Sequence, residues 1–199
     1  MRRTIVGLMM FAGMVISGPV VAGALEDGEA DYRRGEFLGA YSKWRRLADG
    51  GDPAAQFRIA QMYYRGTGVP RDYAEASKWC RRAAEQGEAP AQLMLGYMYD
   101  KGLGVPQHFA EAFEWYRRAA DQGDPVAQGN LGNMYFEGRG VARSYVQAHL
   151  YWNLAASRLP ASAVEERRAA AKNRDGVVRM MTPAQVAEAQ RLAREWRPK

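Results

Sequence analysis

Few residues of this 199-residue chain could perform chemistry, and their spacing excludes the commonest kinds of site. The chain has one cysteine, Cys80, and two histidines, His108 and His149, which lie far apart in the sequence. One cysteine cannot form an internal disulfide, and neither a Cys/His zinc spacing nor an HExxH helix is present. No Ser-x-x-Lys motif occurs, and no carboxylate pair is identifiable for acid/base work. We therefore predict no catalytic residue, no metal site and no cofactor.

Three glycine segments could be mistaken for phosphate-binding loops. They read Gly-Thr-Gly-Val, Gly-Leu-Gly-Val and Gly-Arg-Gly-Val at 66–69, 102–105 and 138–141. A phosphate-binding loop follows a strand and ends in Lys-Ser/Thr, whereas these segments follow predicted helices and lack that ending. Because the segment recurs at a fixed interval, we interpret it as a structural turn.

The composition is that of a globular protein with a mildly basic charge. The chain has 28 Lys and Arg against 22 Asp and Glu, a net charge of +6. A hydrophobic fraction of 47% with 11% aromatic residues argues against intrinsic disorder. The arginine pairs are dispersed rather than concentrated in one stripe, so we do not expect a nucleic-acid partner.

Residues 1–22 have the three parts of a secretory signal peptide. Two arginines open the segment, an apolar run extends over residues 5–16, and Val20 and Ala22 fit the small-residue positions before a cleavage site. We predict cleavage before Gly23, which leaves a periplasmic or secreted protein without a membrane span. The alternative is an uncleaved inner-membrane anchor, although the apolar run is short for a span.

The rest of the chain is dominated by a period of 36 residues. Ala-Gln at 55–56 recurs at 91–92 and 127–128, and Met-Tyr pairs, the glycine segments and Ala-Ala pairs follow in the same register. A fixed period of this size indicates a solenoid of repeated supersecondary units. Each unit is interpreted as helix, glycine turn, helix and short turn, because glycine can end a helix in the left-handed conformation and a following proline cannot continue it.

Small residues recur on the predicted packed face of the first helix of each unit, where helix axes must approach closely. They are Ala60, Gly96 and Gly132. On the second helix, Cys80 takes a position that Tyr116 and Trp152 fill in the next units. We therefore expect a buried, unreactive thiol rather than a nucleophile.

The repeated pattern resembles the Sel1-like repeat (SLR), a branch of the tetratricopeptide-related (TPR-like) solenoids. Residues 91–123 carry the pattern A-Q-x-x-L-G-x-M-Y-x-x-G-x-G-V-P-x-x-x-x-E-A-x-x-W-Y-x-x-A-A-x-Q-G. Residues 54–87 match it well, whereas 127–158 depart from it at Ala142, which replaces the proline. The resemblance implies an all-α fold, an α/α solenoid or superhelix of helix-turn-helix repeats, in an exported bacterial protein.

The flanking segments are predicted to close the ends of the solenoid, which needs a polar outer face there. Thr182 is the predicted N-cap of a last helix, with Gln185 reaching back to it. The predicted division is a signal peptide at 1–22, an N-terminal capping half-repeat at 23–53, repeats at 54–89, 90–125 and 126–160, and a C-terminal helical cap at 161–199.

The resemblance implies a non-enzymatic scaffold or adaptor of the bacterial cell envelope that binds another protein. The family includes secreted members with reported penicillin-binding or β-lactamase activity, which carry a cysteine pair in each repeat. With one cysteine in the whole chain, that activity does not carry over. The alternative is a peptidoglycan-related envelope enzyme or glycan binder.

Positions opposite the packed face of the first helices differ from unit to unit and would line the concave side of the solenoid. Arginine and tyrosine are frequent anchors of interfaces, so we predict that the partner binds there. The alternative is that these positions are merely solvated and free to drift. The predicted binding residues are Arg58, Gln61, Arg65, Met94, Tyr97, Lys101, Asn130, Asn133 and Glu137.

Overall fold

The computed structural model describes residues 19–199, so residues 1–18 of the predicted signal peptide lie outside the described part. All regular secondary structure within residues 19–199 is helical, which confirms the all-α prediction. The helices are α1 (Pro19–Arg33), α2 (Phe37–Asp49), α3 (Pro53–Arg65), α4 (Tyr73–Glu85), α5 (Ala89–Lys101), α6 (Phe109–Asp121), α7 (Pro125–Glu137), α8 (Tyr145–Arg158), α9 (Val164–Val177) and α10 (Pro183–Glu195), with a short 3-10 helix at Val178–Met180.

The helices pack in sequence order, as a solenoid requires. Each glycine turn joins a packed pair, namely α3 with α4, α5 with α6 and α7 with α8. The second helix of each pair also packs on the first helix of the next pair. The segment predicted as half a repeat contributes a whole packed pair, α1 and α2, because α1 extends from Pro19 to Arg33. At the other end, α9 and α10 both pack on α8.

The helix boundaries follow from local sequence. Asp52 and Asp124 begin α3 and α7, where each carboxylate accepts a backbone N–H bond three residues on, at 2.7 Å. Gly66, Gly102 and Gly138 end the first helices with φ of 71°, 68° and 74°. These left-handed C-caps confirm the predicted role of the first glycine in each glycine segment.

The small residues on the first helices lie where the prediction placed them. A Cβ on Gly96 would come within 2.7 Å of the Tyr116 ring, and one on Gly132 within 2.6 Å of the Trp152 ring. Each aromatic ring therefore packs directly on the backbone of its partner helix.

The second glycine of each segment packs on the backbone of the preceding helix pair. Gly68, Gly104 and Gly140 contact Phe37, Tyr73 and Phe109, which are the first residues of α2, α4 and α6. The glycine segments thus join neighbouring repeats, which supports their interpretation as turns.

Three buried glutamines (Gln56, Gln92 and Gln128) and two exposed ones (Gln86 and Gln122) form a further set of contacts, here called the glutamine ladder. Gln56, Gln92 and Gln128 donate to the carbonyls of Ala48, Ala84 and Ala120 at 3.2, 3.1 and 3.3 Å, near the C-termini of α2, α4 and α6. Such terminal carbonyls have no partner within their own helix.

The ladder ends in the third repeat. Gln86 donates to Oε1 of Gln56 and Gln122 to Oε1 of Gln92, both at 2.8 Å. The next position in this series is Arg158, whose guanidinium lies over the Trp196 ring at 4.1 Å. Oε1 of Gln128 is buried and has no hydrogen-bond partner within residues 19–199.

The C-terminal segment is anchored at both ends of α10. Thr182 and Gln185 form the predicted capping box at its start, which is confirmed. After α10, Lys199 donates its backbone N–H to the carbonyl of Asp121 at 2.8 Å and pairs with the Asp121 carboxylate at 2.8 Å. The last residues are therefore attached to the end of α6.

Candidate partner-binding groove

A continuous groove runs across α3, α5, α7 and α9, and we call it the first-helix groove. It consists of four adjoining cavities of about 190, 360, 230 and 700 Å³, from the α1 end to the α9 end. Neighbouring cavities share lining residues, so they form one surface. The shared residues are Gln61 and Arg65, then Val126 and Asn130, then Asn133, Trp152 and Asn173.

Eight of the nine predicted binding residues line this groove. They are Arg58, Gln61, Arg65, Met94, Tyr97, Asn130, Asn133 and Glu137. The structure does not place Lys101 with them. The Lys101 ammonium pairs with the Asp100 carboxylate at 2.8 Å and lies 6.0 Å from the centre of the Tyr97 ring, so it is beside the second cavity without being part of its lining.

The second cavity has an apolar floor that the sequence reasoning missed. Phe57 and Leu93 lie in it beside the predicted Met94 and Tyr97. They occupy equivalent positions of successive repeats, and the third repeat has Gly129 there. The sequence contains a signal for this floor: the side chain becomes smaller from repeat to repeat at the position just before each first predicted binding residue.

Val126 adds an exposed aliphatic side chain to the same floor. It is 48% exposed in the first turn of α7, and Tyr97 opposite is 40% exposed. Exposed apolar side chains gathered in a depression are typical of the centre of a protein interface.

At the α1 end, the charge of Arg58 is already compensated. Its guanidinium pairs with the Glu29 carboxylate at 3.2 Å and donates to Gln61 at 3.3 Å. Arg58 is thus held in place by α1, whereas Arg65, two turns further along α3, extends into the groove as an exposed cation.

At the other end, α9 forms a wall of the groove. Lys172, Asn173 and Arg179 line the fourth cavity opposite Phe136 and Asn133. From the sequence we predicted only a C-terminal helical cap here, and we did not predict that α9 contributes to the groove. Inside the cavity, the Trp152 indole donates to Oδ1 of Asn133 at 2.9 Å, which fixes the orientation of that predicted residue.

An ion-pair network joins the glycine segments of the second and third repeats. Asp100 is 7% exposed, and its carboxylate pairs with Arg139 and with Lys101, each at 2.8 Å. Arg139 also pairs with Glu137. The charges of Lys101 and Glu137 are therefore compensated within the chain.

The groups that could do chemistry have structural roles. Cys80 is fully buried, as predicted, and burial raises the pKa of its thiol to about 12, so the thiol stays protonated. Nδ1 of His108 caps α6 by accepting the N–H of Glu111 at 3.1 Å. His149 is buried in α8, and burial lowers its pKa. Within residues 19–199, no group of three or more His, Cys, Asp or Glu is placed to hold a metal ion.

Comparison with known proteins identifies the repeat. A sequence profile described as Sel1 repeat matches residues 53–88, 89–124 and 125–158, which together make up more than half of the chain. The chain belongs to the Sel1 repeat family. Sel1 repeat proteins generally mediate protein–protein interactions, and the fold is typically a non-catalytic scaffold.

Solved structures of Sel1 repeat proteins share this fold. A Sel1 repeat protein from Oxalobacter formigenes is 28% identical, with a TM-score of 0.67 over 86% of this chain and 73% of its own. A protective antigen of uropathogenic Escherichia coli strains that displays an SLR fold is 25% identical, with a TM-score of 0.59 over 88% of this chain. This chain spans 45% of the length of that antigen. A search of curated proteins found no match.

Four of the five tryptophans are buried. Trp44, Trp79, Trp115 and Trp152 are each at most 5% exposed. Their faces are covered by neighbouring helices and arginines rather than offered to a sugar ring, which disfavours the glycan-binding alternative. None of the helices within residues 19–199 combines the length and the apolar character needed to cross a bilayer.

Proposed function

We propose that this Sel1 repeat protein is a non-enzymatic scaffold of the bacterial cell envelope that binds a partner protein along the first-helix groove. The observation that carries the proposal is the continuity of that groove across four helices. Its lining includes eight predicted binding residues, which occupy positions that differ from repeat to repeat. A repeat array keeps its packed positions constant and can vary the groove, which suits it to a dedicated partner.

The composition of the groove supports a protein partner. Its centre combines Phe57, Leu93 and the exposed Val126 with an exposed tyrosine, Tyr97, and amide side chains lie to either side. An apolar centre with a polar rim is the usual anatomy of a protein interface. Tyrosine and arginine are also the residues in which binding energy concentrates.

Export to the periplasm is the second part of the proposal, and it rests on the signal-peptide pattern at 1–22. The packing of α1 is compatible with cleavage before Gly23. The Trp44 indole donates to the carbonyl of Leu25 at 3.2 Å and packs against Gly28, both of which follow that site. N-terminal sequencing of the exported protein tests the cleavage: an intact N-terminus would favour the inner-membrane anchor.

Site-specific photo-crosslinking in cells tests the groove. A photoreactive residue in place of Tyr97 is expected to capture a discrete partner protein. The matched control is the same residue in place of Leu38, which is 74% exposed on α2 and does not line the groove. Capture from position 38 with none from position 97 would contradict the groove assignment.

A further inference from the structure

Some charged side chains that line the first-helix groove pair with an opposite charge of the same chain, and others do not. Glu29 pairs with Arg58, Glu137 with Arg139 and Asp175 with Arg174. Asp124 accepts the N–H of Ala127 at 2.7 Å, at the positive end of α7. Four of the five carboxylates in the groove therefore have a partner already, and Glu166 is the fifth.

Three cations of the groove have no such partner. Within residues 23–199, Arg65, Lys172 and Arg179 form no ion pair, although each lines a cavity. After internal pairing, the groove thus presents three cations against the single carboxylate of Glu166.

The three cations flank the apolar floor. Arg65 lies on α3 where the first and second cavities meet, and Lys172 and Arg179 lie in the fourth cavity. Between them are Met94 and Val126 of the floor. A ligand that crosses the groove from the α1 end meets Arg65, then the apolar floor, then Glu166 in the third cavity, and then Lys172 and Arg179.

We propose that the occupant of the first-helix groove is an extended acidic segment of the partner protein, with acidic residues toward both ends and bulky apolar side chains between them. The proposal rests on the proposed function and names the chemistry of the partner. The groove crosses α3, α5, α7 and α9, so an extended segment that follows it passes along all four helices.

Fluorescence anisotropy with defined peptides tests this proposal. The probe is a fluorescein-labelled nonapeptide with two glutamates at each end and Leu-Phe-Leu within a serine background. One comparison peptide has lysine in place of every glutamate, and the other has serine in place of Leu-Phe-Leu. The acidic apolar peptide is expected to bind at least about tenfold more tightly than either, and to weaken between about 50 mM and about 500 mM salt.

A charge-reversal variant tests whether Arg65 and Arg179 bind the acidic peptide. The protein carrying both Arg65→Glu and Arg179→Glu is expected to lose the acidic peptide and to bind the lysine peptide instead. The matched control carries Arg46→Glu and Arg194→Glu, two exposed arginines outside the groove, with the same change in net charge. The control is expected to keep the wild-type preference, and circular dichroism checks that both variants keep their helical content.

The outcomes separate this inference from the proposed function. Equal binding of the acidic and lysine peptides, or an effect of the control equal to that of the groove variant, would overturn the acidic assignment. If position 97 captures a partner in cells while the acidic peptide fails to bind, the acidic assignment is wrong and the scaffold function stands. If position 97 captures nothing, the proposed function itself fails.

Discussion

A Cβ atom on Gly104 would lie 1.9 Å from the carbonyl oxygen of Tyr73, the first residue of α4. Gly104 also has φ of +70°, in the region that L side chains avoid. Gly102, two residues earlier, has φ of +68°, but its nearest neighbour would be 3.4 Å from a Cβ. Gly102 is therefore needed because the backbone is left-handed there. Gly104 is needed for the same reason and also because a side chain would collide with the neighbouring repeat.

Alanine at these two positions should separate the two requirements. We expect Gly102→Ala to cost about 1–2 kcal/mol of unfolding free energy, the cost of the left-handed conformation. Gly104→Ala should cost at least about 2 kcal/mol more, because the methyl group must displace the backbone of Tyr73. Urea unfolding measures both. Equal costs would mean that the contact with α4 relaxes without penalty.

Trp115 is expected to be a major contributor to stability. Its side chain is 5% exposed, and the Arg118 guanidinium covers the ring at 4.4 Å. Trp115→Ala should lower the unfolding free energy by about 3–5 kcal/mol, the usual cost of removing a buried large aromatic ring. Leu38→Ala, at a position 74% exposed, is the control and should change it by about 0.5 kcal/mol or less. Similar values for both would place the indole outside the core.

The glutamine ladder predicts an energetic coupling that is present in one repeat and missing in the next. Gln92 and Gln122 are hydrogen-bonded, so a double-mutant cycle of their alanine variants should give a coupling of about 1 kcal/mol. The equivalent pair, Gln128 and Arg158, forms no such bond, and its cycle should give a coupling near zero. Equal couplings in the two cycles would argue against the ladder.

His149 predicts a loss of stability in mild acid. Burial lowers its folded-state pKa, and the nearby Arg174 lowers it further, whereas Asp175 acts in the opposite direction. The folded protein therefore holds fewer protons on this residue than the unfolded chain. The unfolding free energy should fall as the pH drops below about 6.5, the unfolded-state pKa, and level off below the folded-state pKa.

The measurement compares thermal melting of the wild type and His149→Gln at about pH 7.5 and about pH 5.5. The wild type should lose more melting temperature between the two values than the variant does. The difference between the two pH dependences reports His149 together with its interaction with Asp175. Identical pH dependence would show that protonation of His149 is not coupled to folding.

Features set by local sequence were predictable. The Asp-Pro starts, the left-handed Gly102 and the Thr182 cap each depend on residues within a few positions, and the 36-residue period shows the glycine cap three times. The close approach at Gly96 was predictable for the same reason, because a small residue recurs opposite an aromatic one.

Features that depend on the path of the chain were not predictable. Asp100 pairs with Arg139, 39 residues away, and no periodic signal marks that pair. We therefore predicted Lys101 as a groove residue, although its ammonium pairs with the Asp100 carboxylate. Lys172 and Arg179 were missed because α9 follows the last repeat, and only its packing on α8 places it beside α7.

The glutamine ladder also makes the array modular. The junction between α4 and α5 uses the same hydrogen bonds as that between α2 and α3. A unit such as residues 89–124 therefore carries the groups that bond to the unit before it and to the unit after it. Duplication or deletion of one such unit in a gene would lengthen or shorten the groove by one first helix and leave both ends unaltered. Evolution could thereby match the reach of the scaffold to a longer or shorter partner in single genetic steps.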